Sequence, residues 1–157
     1  MKITLLLVGK TVFPFVRDGM QMYEKRILRH VSYSRMEIPD IKGTKSLSPS
    51  QIKEKEGDEI LRRVTEKDDV ILLDERGDEL SSLDWSKELE KKISSGGRNI
   101  VFVVGGAYGF SPRVYQRAGQ KLSLSRMTLS HQIVRLFFAE QFYRALSIIY
   151  GEPYHNE

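Results

Sequence analysis

Ile100-Val101-Phe102-Val103-Val104-Gly105-Gly106-Ala107-Tyr108-Gly109-Phe110-Ser111-Pro112 decides the fold. The five apolar residues make a short continuous run, the mark of a strand buried on both faces. The run empties into a glycine turn, and Ser111-Pro112 then opens a helix. A strand that ends in glycines before a helix is where an α/β protein presents backbone N–H groups to a ligand.

The same alternation extends in both directions. Residues 3–8 read as a strand and 14–30 as a helix, with Phe15, Met22, Tyr23 and Ile27 among its apolar positions. Val31, Tyr33 and Ile38 mark a second strand, and 42–47 a polar loop. Ser48-Pro49 opens a helix to about Thr65, with Ser48 as N-cap. Val70–Leu73 is a third strand, running into Asp74-Glu75-Arg76-Gly77. A helix over 84–95 stops at Gly96-Gly97. After the strand at 100–104 come a helix over 111–121, a brief strand near 122–125, and a final helix from about Ser130 to Tyr150. This order predicts one α/β domain over 1–157, a mostly parallel sheet with helices on both faces. The final helix is apolar nearly all round, so it is buried on more than one side. The expectation is a homodimer with this helix in the interface; the alternative is a central helix wrapped by its own domain.

At 157 residues, 40% hydrophobic and 29% charged, the composition is that of an ordinary globular protein. The apolar run at the N-terminus is far too short to span a membrane and is followed by no signal-peptide cleavage site. With no cysteine there is no disulfide, thiolate metal site or cysteine nucleophile. A cytoplasmic location is expected, with no membrane partner. The formal charge of +4 points weakly to an anionic partner. Its distribution says more, because Arg98, Arg113, Arg117, Lys121, Arg126, Arg135 and Arg144 share the last third with the glycine turn.

Two motifs fail on inspection. Gly9-Lys10-Thr11 resembles the end of a P-loop, but Thr4 stands where its first glycine is needed. Gly105, Gly106 and Gly109 do not space as a Rossmann fingerprint. Asp74, Glu75 and Asp78 read as a solvated turn rather than a metal or acid–base cluster. His131 and His155 flank the glycine- and serine-rich region and are candidates for function, whereas His30 has no such company. Glu140 and Arg144, at helical i,i+4 spacing, either pair with each other or orient the arginine toward a ligand.

Taken together, the GGAYGF turn, Leu122-Ser-Leu-Ser-Arg-Met-Thr-Leu-Ser-His-Gln132, Glu140-Gln-Phe-Tyr-Arg-Ala145 and Gly151-Glu-Pro-Tyr-His155 resemble the ribosomal RNA large subunit methyltransferase H family. Leu73–Gly77 and Met1-Lys2-Ile3 match as well, so the resemblance spans the chain. Serine stands at 130 and phenylalanine at 110, where proline and leucine are common in that family. The resemblance implies a SPOUT-type fold with a C-terminal trefoil knot and S-adenosyl-L-methionine as cofactor. Its pocket would be formed by Leu73, Gly105 and Leu124, Ser125, Arg126, Met127, Thr128 and Leu129. It further implies a homodimer that methylates N3 of a pseudouridine in large-subunit (23S) ribosomal RNA on the assembled ribosome, with no metal. His131, Arg144, Tyr154 and His155 are the expected substrate-handling residues, the tail reaching toward the partner's pocket. His131 or His155 would take the proton, and Arg144 or Arg135 would steady the imidate or a phosphate. A SPOUT methyltransferase acting on transfer RNA and a non-catalytic ribosome-binding domain stay open as alternatives.

Overall fold

Alternate residues of the first strand, β1 (Ile3–Val8), enter two different cores. Leu5 and Leu7 join one and Leu6 and Val8 the other, as the two-residue period of a strand requires. The computed structural model describes residues 1–156. In chain order β1 is followed by α1 (Pro14–Ile27), β2 (Tyr33–Ile38), α2 (Pro49–Arg62) and β3 (Asp69–Glu79). Then come α3 (Ser82–Ser95), β4 (Ile100–Val104), α4 (Pro112–Arg117), β5 (Gln120–Ser123) and α5 (Ile133–Ile149). The strands form one sheet in the order β2-β1-β4-β3-β5, all parallel. Helices α1, α3 and α5 cover one face, and α2 and α4 cover the other.

Local chemistry accounts for most boundaries. Ser48 accepts from the Gln51 N–H while the Gln51 side chain accepts from the Ser48 N–H, a full capping box at the start of α2. Ser81 and Ser111 cap α3 and α4 with their hydroxyls alone, accepting from the Asp84 and Val114 N–H groups. Gly96 ends α3 at φ +63°, a left-handed turn that favours glycine.

Three expectations are corrected by the structure. Helix α1 stops at Ile27 rather than continuing to residue 30. Helix α4 ends at Arg117 instead of 121, because the Gly119 N–H donates to Val70 O at 2.9 Å and draws the chain into the sheet as β5. Asp74–Glu79 is not a turn but the outer part of β3. Leu122 is paired with both Leu73 and Asp78, so residues 74–77 bulge out as a tab between the two pairings.

The apolarity of α5 has an explanation inside the chain. It lies on the sheet between α1 and α3, and Phe138 and Phe142 stack at 5.4 Å between centroids and pack on Phe102 and Trp85. Gly19 of α1 lets the two helices approach, since a Cβ there would stand 2.7 Å from Leu136 Cδ1. Three sides of α5 are thus covered without a second copy. Among the described residues no helix is long and apolar enough to cross a membrane.

Candidate active site

The carboxyl ends of β3, β4 and β5 open into a cleft of about 590 Å³, within the range of small-ligand sites. One wall is the glycine turn. Gly109, at φ +84°, donates its N–H to Gly106 O at 3.2 Å and folds the chain back on itself. Gly105 lies tight against Phe110, since a Cβ would stand 3.0 Å from the ring and would press it aside. Phe110 is buried edge-on to Tyr115, so an aromatic residue at this position packs the base of the turn.

The opposite wall is the loop between β5 and α5, which is pinned by its own hydroxyls. Ser123 Oγ donates to Ser125 O at 3.0 Å, and Ser125 Oγ accepts from the Met127 N–H at 3.0 Å. Ser130 Oγ accepts from the Ile133 N–H at 3.0 Å, so serine in this position caps the turn that leads into α5. The 74–77 tab closes the rim from both sides. Thr128 Oγ1 donates to Glu75 Oε2 at 2.7 Å, and the Tyr115 hydroxyl donates to Asp74. Burial, then the Asp74 carboxylate, pushes the Tyr115 phenol up to about 12, so it remains a proton donor at neutral pH.

Of the residues expected to bind a cofactor, Leu73, Gly105, Leu124, Ser125, Met127, Thr128 and Leu129 all line this cleft, as does His131. Arg126 does not. Its side chain is 79% exposed and turns outward to Glu79 Oε1 at 3.3 Å. Sequence reasoning missed Lys53, Tyr108 and Tyr115, and dismissed Asp74 as part of a turn. For Tyr115 the signal was available, since it lies one turn into the helix that follows the glycines. The lining combines apolar walls (Leu73, Val104, Phe110, Leu124, Leu129, Val134), bare backbone, and rim charges of both signs (Lys53 and Arg76, Asp74 and Glu75). That set fits a nucleoside joined to a zwitterionic amino acid and a cationic centre.

Arg144, Tyr154 and His155 are elsewhere. They gather around Glu140 toward the other end of α5, where Arg144 Nη2 and the Tyr154 hydroxyl both donate to Glu140 Oε1, at 2.6 and 2.9 Å. The Arg144 guanidinium lies over the Tyr154 ring at 4.7 Å, with Nη1 3.2 Å from His155 Nδ1. The Glu140 hydrogen bond holds the Arg144 guanidinium above its ordinary pKa, and burial raises the Tyr154 phenol. At the rise of an α-helix, Arg144 is about 16 Å along the axis from Ile133, next to the cleft. Within one chain these residues do not meet His131.

Arg135 overturns its expected role. It is fully buried, and its guanidinium donates to Val8 O at 2.8 Å, to Gly9 O and Thr11 Oγ1 at 2.9 Å, and to His131 O at 2.8 Å. Burial lowers its pKa, an effect that Glu37 and Asp40 oppose. Four of its five N–H donors are spent within the chain and the side chain is fully buried, so it presents no surface to an imidate or a phosphate. The P-loop look-alike Gly9-Lys10-Thr11 is therefore the seat of an internal cation. Gln132 adds to the same clasp, donating to Lys10 O and accepting from the Val12 N–H, both at 2.9 Å. Other basic residues of the last third are also engaged within the chain: Arg113 with Asp58 and Glu54, and Arg117 with Thr65 O and Asp68 O. Net charge alone thus overstates the surface offered to a polyanion.

Comparison with known proteins agrees with this geometry. Residues 1–155 match the family model described as Predicted SPOUT methyltransferase. The chain is 49% identical to Ribosomal RNA large subunit methyltransferase H of Porphyromonas gingivalis (strain ATCC 33277) over 157 residues, all of both chains. It is 48% identical to the protein of that name from Flavobacterium johnsoniae and 46% identical to that from Bacteroides thetaiotaomicron, again over the full length of both. A parallel sheet, a backbone-lined cleft at its carboxyl edge and a match along nearly the whole chain lead to one conclusion: the chain belongs to the SPOUT methyltransferase family.

Proposed function

We propose that this chain is an S-adenosylmethionine-dependent methyltransferase of large-subunit ribosomal RNA, acting on N3 of a pseudouridine in the assembled ribosome. The observation that carries the reading is the cleft, whose two walls are the glycine turn and the 124–131 loop. The names of the full-length relatives support the choice of ribosomal RNA. The cofactor would be held by Leu73, Gly105 and the backbone of Leu124–Leu129, with Asp74 and Glu75 facing its positive charge. When bound, it supplies an electrophilic methyl carbon on a sulfonium.

The chain's own contributions are alignment and proton handling. The imide nitrogen is a poor nucleophile while protonated, so the site must bring a proton acceptor to it. His131 stands at the cleft, while Arg144, Tyr154 and His155 form a preassembled polar cluster about a helix length away. A homodimer reconciles the two, the tail of one copy completing the cleft of the other. A second surface favours it: Phe15 and Met22 of α1, with Val12 and Phe13 just before it, are exposed apolar side chains. Phe13 and Phe15 stack at 5.6 Å, a ready apolar contact for a second copy.

The test is calorimetric titration with S-adenosylmethionine, followed by labelled methyl transfer to ribosomes lacking the modification. Binding at one site per chain, with label in large-subunit RNA, is the expected result. Absence of binding overturns the proposal, and label in free transfer RNA would redirect it.

A further inference from the structure

In this sheet β1 and β4 are neighbours whose following segments depart to opposite faces, β1 to α1 and β4 to α4. The ends of two such strands form a crevice, the usual place for a ligand in an open α/β sheet. It adjoins the cofactor cleft and shares the Gly105–Gly106 turn with it. Both of its walls are bare glycine backbone, and in each a carboxylate stands where a side chain would go. A Cβ on Gly9 would lie 2.5 Å from Asp40 Oδ1, and a Cβ on Gly106 would lie 2.4 Å from Glu56 Oε2. Asp40 is close to Arg135, whose guanidinium it stabilises. Glu56 has no such partner. Its Oε1 is buried without a hydrogen bond, a costly state unless the group has another task.

Resting on the methyltransferase reading above, we infer that Glu56 accepts the imide proton of the acceptor ring, which lies in the β1/β4 crevice across Gly106. The step balances simply. The N3–H bond breaks and the proton passes to a Glu56 carboxylate oxygen; the electron pair left on nitrogen forms the new N–C bond as the methyl's C–S bond breaks, that pair leaving with the sulfur as a neutral thioether. Several features suit Glu56 to this. Helix α2 and the glycine turn fix its position, and the missing side chain of Gly106 is what lets its carboxyl lie against the turn. The charged group acting on it is Asp40 from beyond β2, itself beside Arg135 of α5. Burial and the charge of Asp40 push its carboxyl up, which strengthens it as a base.

The experiment compares Glu56→Gln and Glu56→Asp with the native chain in single-turnover methyl transfer to ribosomes across pH. Cofactor calorimetry is run on each preparation. Glu56→Gln should lower the rate constant by about 10²-fold or more and abolish the acid limb of the pH profile, with cofactor affinity within about twofold of native. Glu56→Asp should keep part of the rate and shift that limb. Native rates or an intact acid limb in Glu56→Gln would overturn the inference. A native chain that binds no cofactor would instead count against the methyltransferase reading. One readout needs no turnover: carbon NMR of the free protein should show the Glu56 carboxyl titrating above the exposed glutamates. Titration together with them also overturns it.

Discussion

Arg135 shows how one side chain can tie a site to a sheet. Its guanidinium replaces water for carbonyls at the end of β1 and simultaneously holds His131 O, so the loop bearing the cleft histidine is anchored to the central strand. Arg135→Ala would leave these acceptors buried and unpaired. It should cost about 3–5 kcal/mol in denaturant unfolding. Arg135→Lys keeps the charge but not the planar fork, so it should recover only part of that stability. Neither role was legible in the sequence. An arginine within an apolar helix, in a basic third of the chain, reads as a ligand-binding residue. Only the fold shows that its partners at the end of β1 are 124 or more positions away. Glu56 was hidden for the same reason, because the glycine that receives it lies fifty residues further on.

Among the elements, what could be read was what is set locally. The strands at 3–8 and 100–104 emerge at their expected bounds because a continuous apolar run needs only burial, and the serine caps at 48 and 111 act where they were placed. The outer half of β3 could not be read. Asp-Glu-Arg-Gly is polar and turn-like, and it is carried within the strand only because β5 pairs with Leu73 before it and with Asp78 and Glu79 after it. Gly77 makes that crossing possible: a Cβ there would stand 2.5 Å from the backbone carbon of Lys121, which cannot swing away. Gly77→Ala should therefore destabilise the chain by about 1–3 kcal/mol, and hydrogen exchange should rise first in β5 and the 124–131 loop. The C-terminal tail is held by a different device. Glu152 accepts from the Tyr143 hydroxyl at 2.7 Å and lies 3.0 Å from His30 Nε2, and the Tyr143 bond foremost holds its carboxyl below the ordinary range. A lowered carboxyl pKa stabilises the fold above the ordinary carboxylate value and loses that contribution as pH falls through the lowered one. The tail should thus loosen below about pH 4 with the sheet still folded, seen as faster exchange at 151–156. Glu152→Gln should make that mobility independent of pH.

The whole molecule poses a question of distance. The resemblance assigned His131 and Arg144, Tyr154 and His155 to one site, yet one chain holds them a helix length apart. The sheet, α1 and α3 cover three sides of the apolar helix within its own chain, and α1 leaves an apolar surface of its own exposed, a second candidate contact for another copy. Phe15→Asp changes an exposed side chain and should leave monomer stability within about 0.5 kcal/mol. If the α1 face joins two copies, sedimentation of this variant should show a single chain, with methyl transfer lost. The sharper test is complementation. One variant carries a disabled cleft, Leu124→Asp with Leu129→Asp, and an intact tail. The other, Arg144→Ala, has the reverse. Each alone should be inactive as a homodimer. Unfolded together in equal amounts and refolded, half of the dimers are mixed, and a mixed dimer has one intact cleft facing one intact tail. If tails act across the interface, activity should return to about a quarter of native, one working site in four. If each tail serves its own cleft, no mixture regains activity, because no chain then has both parts.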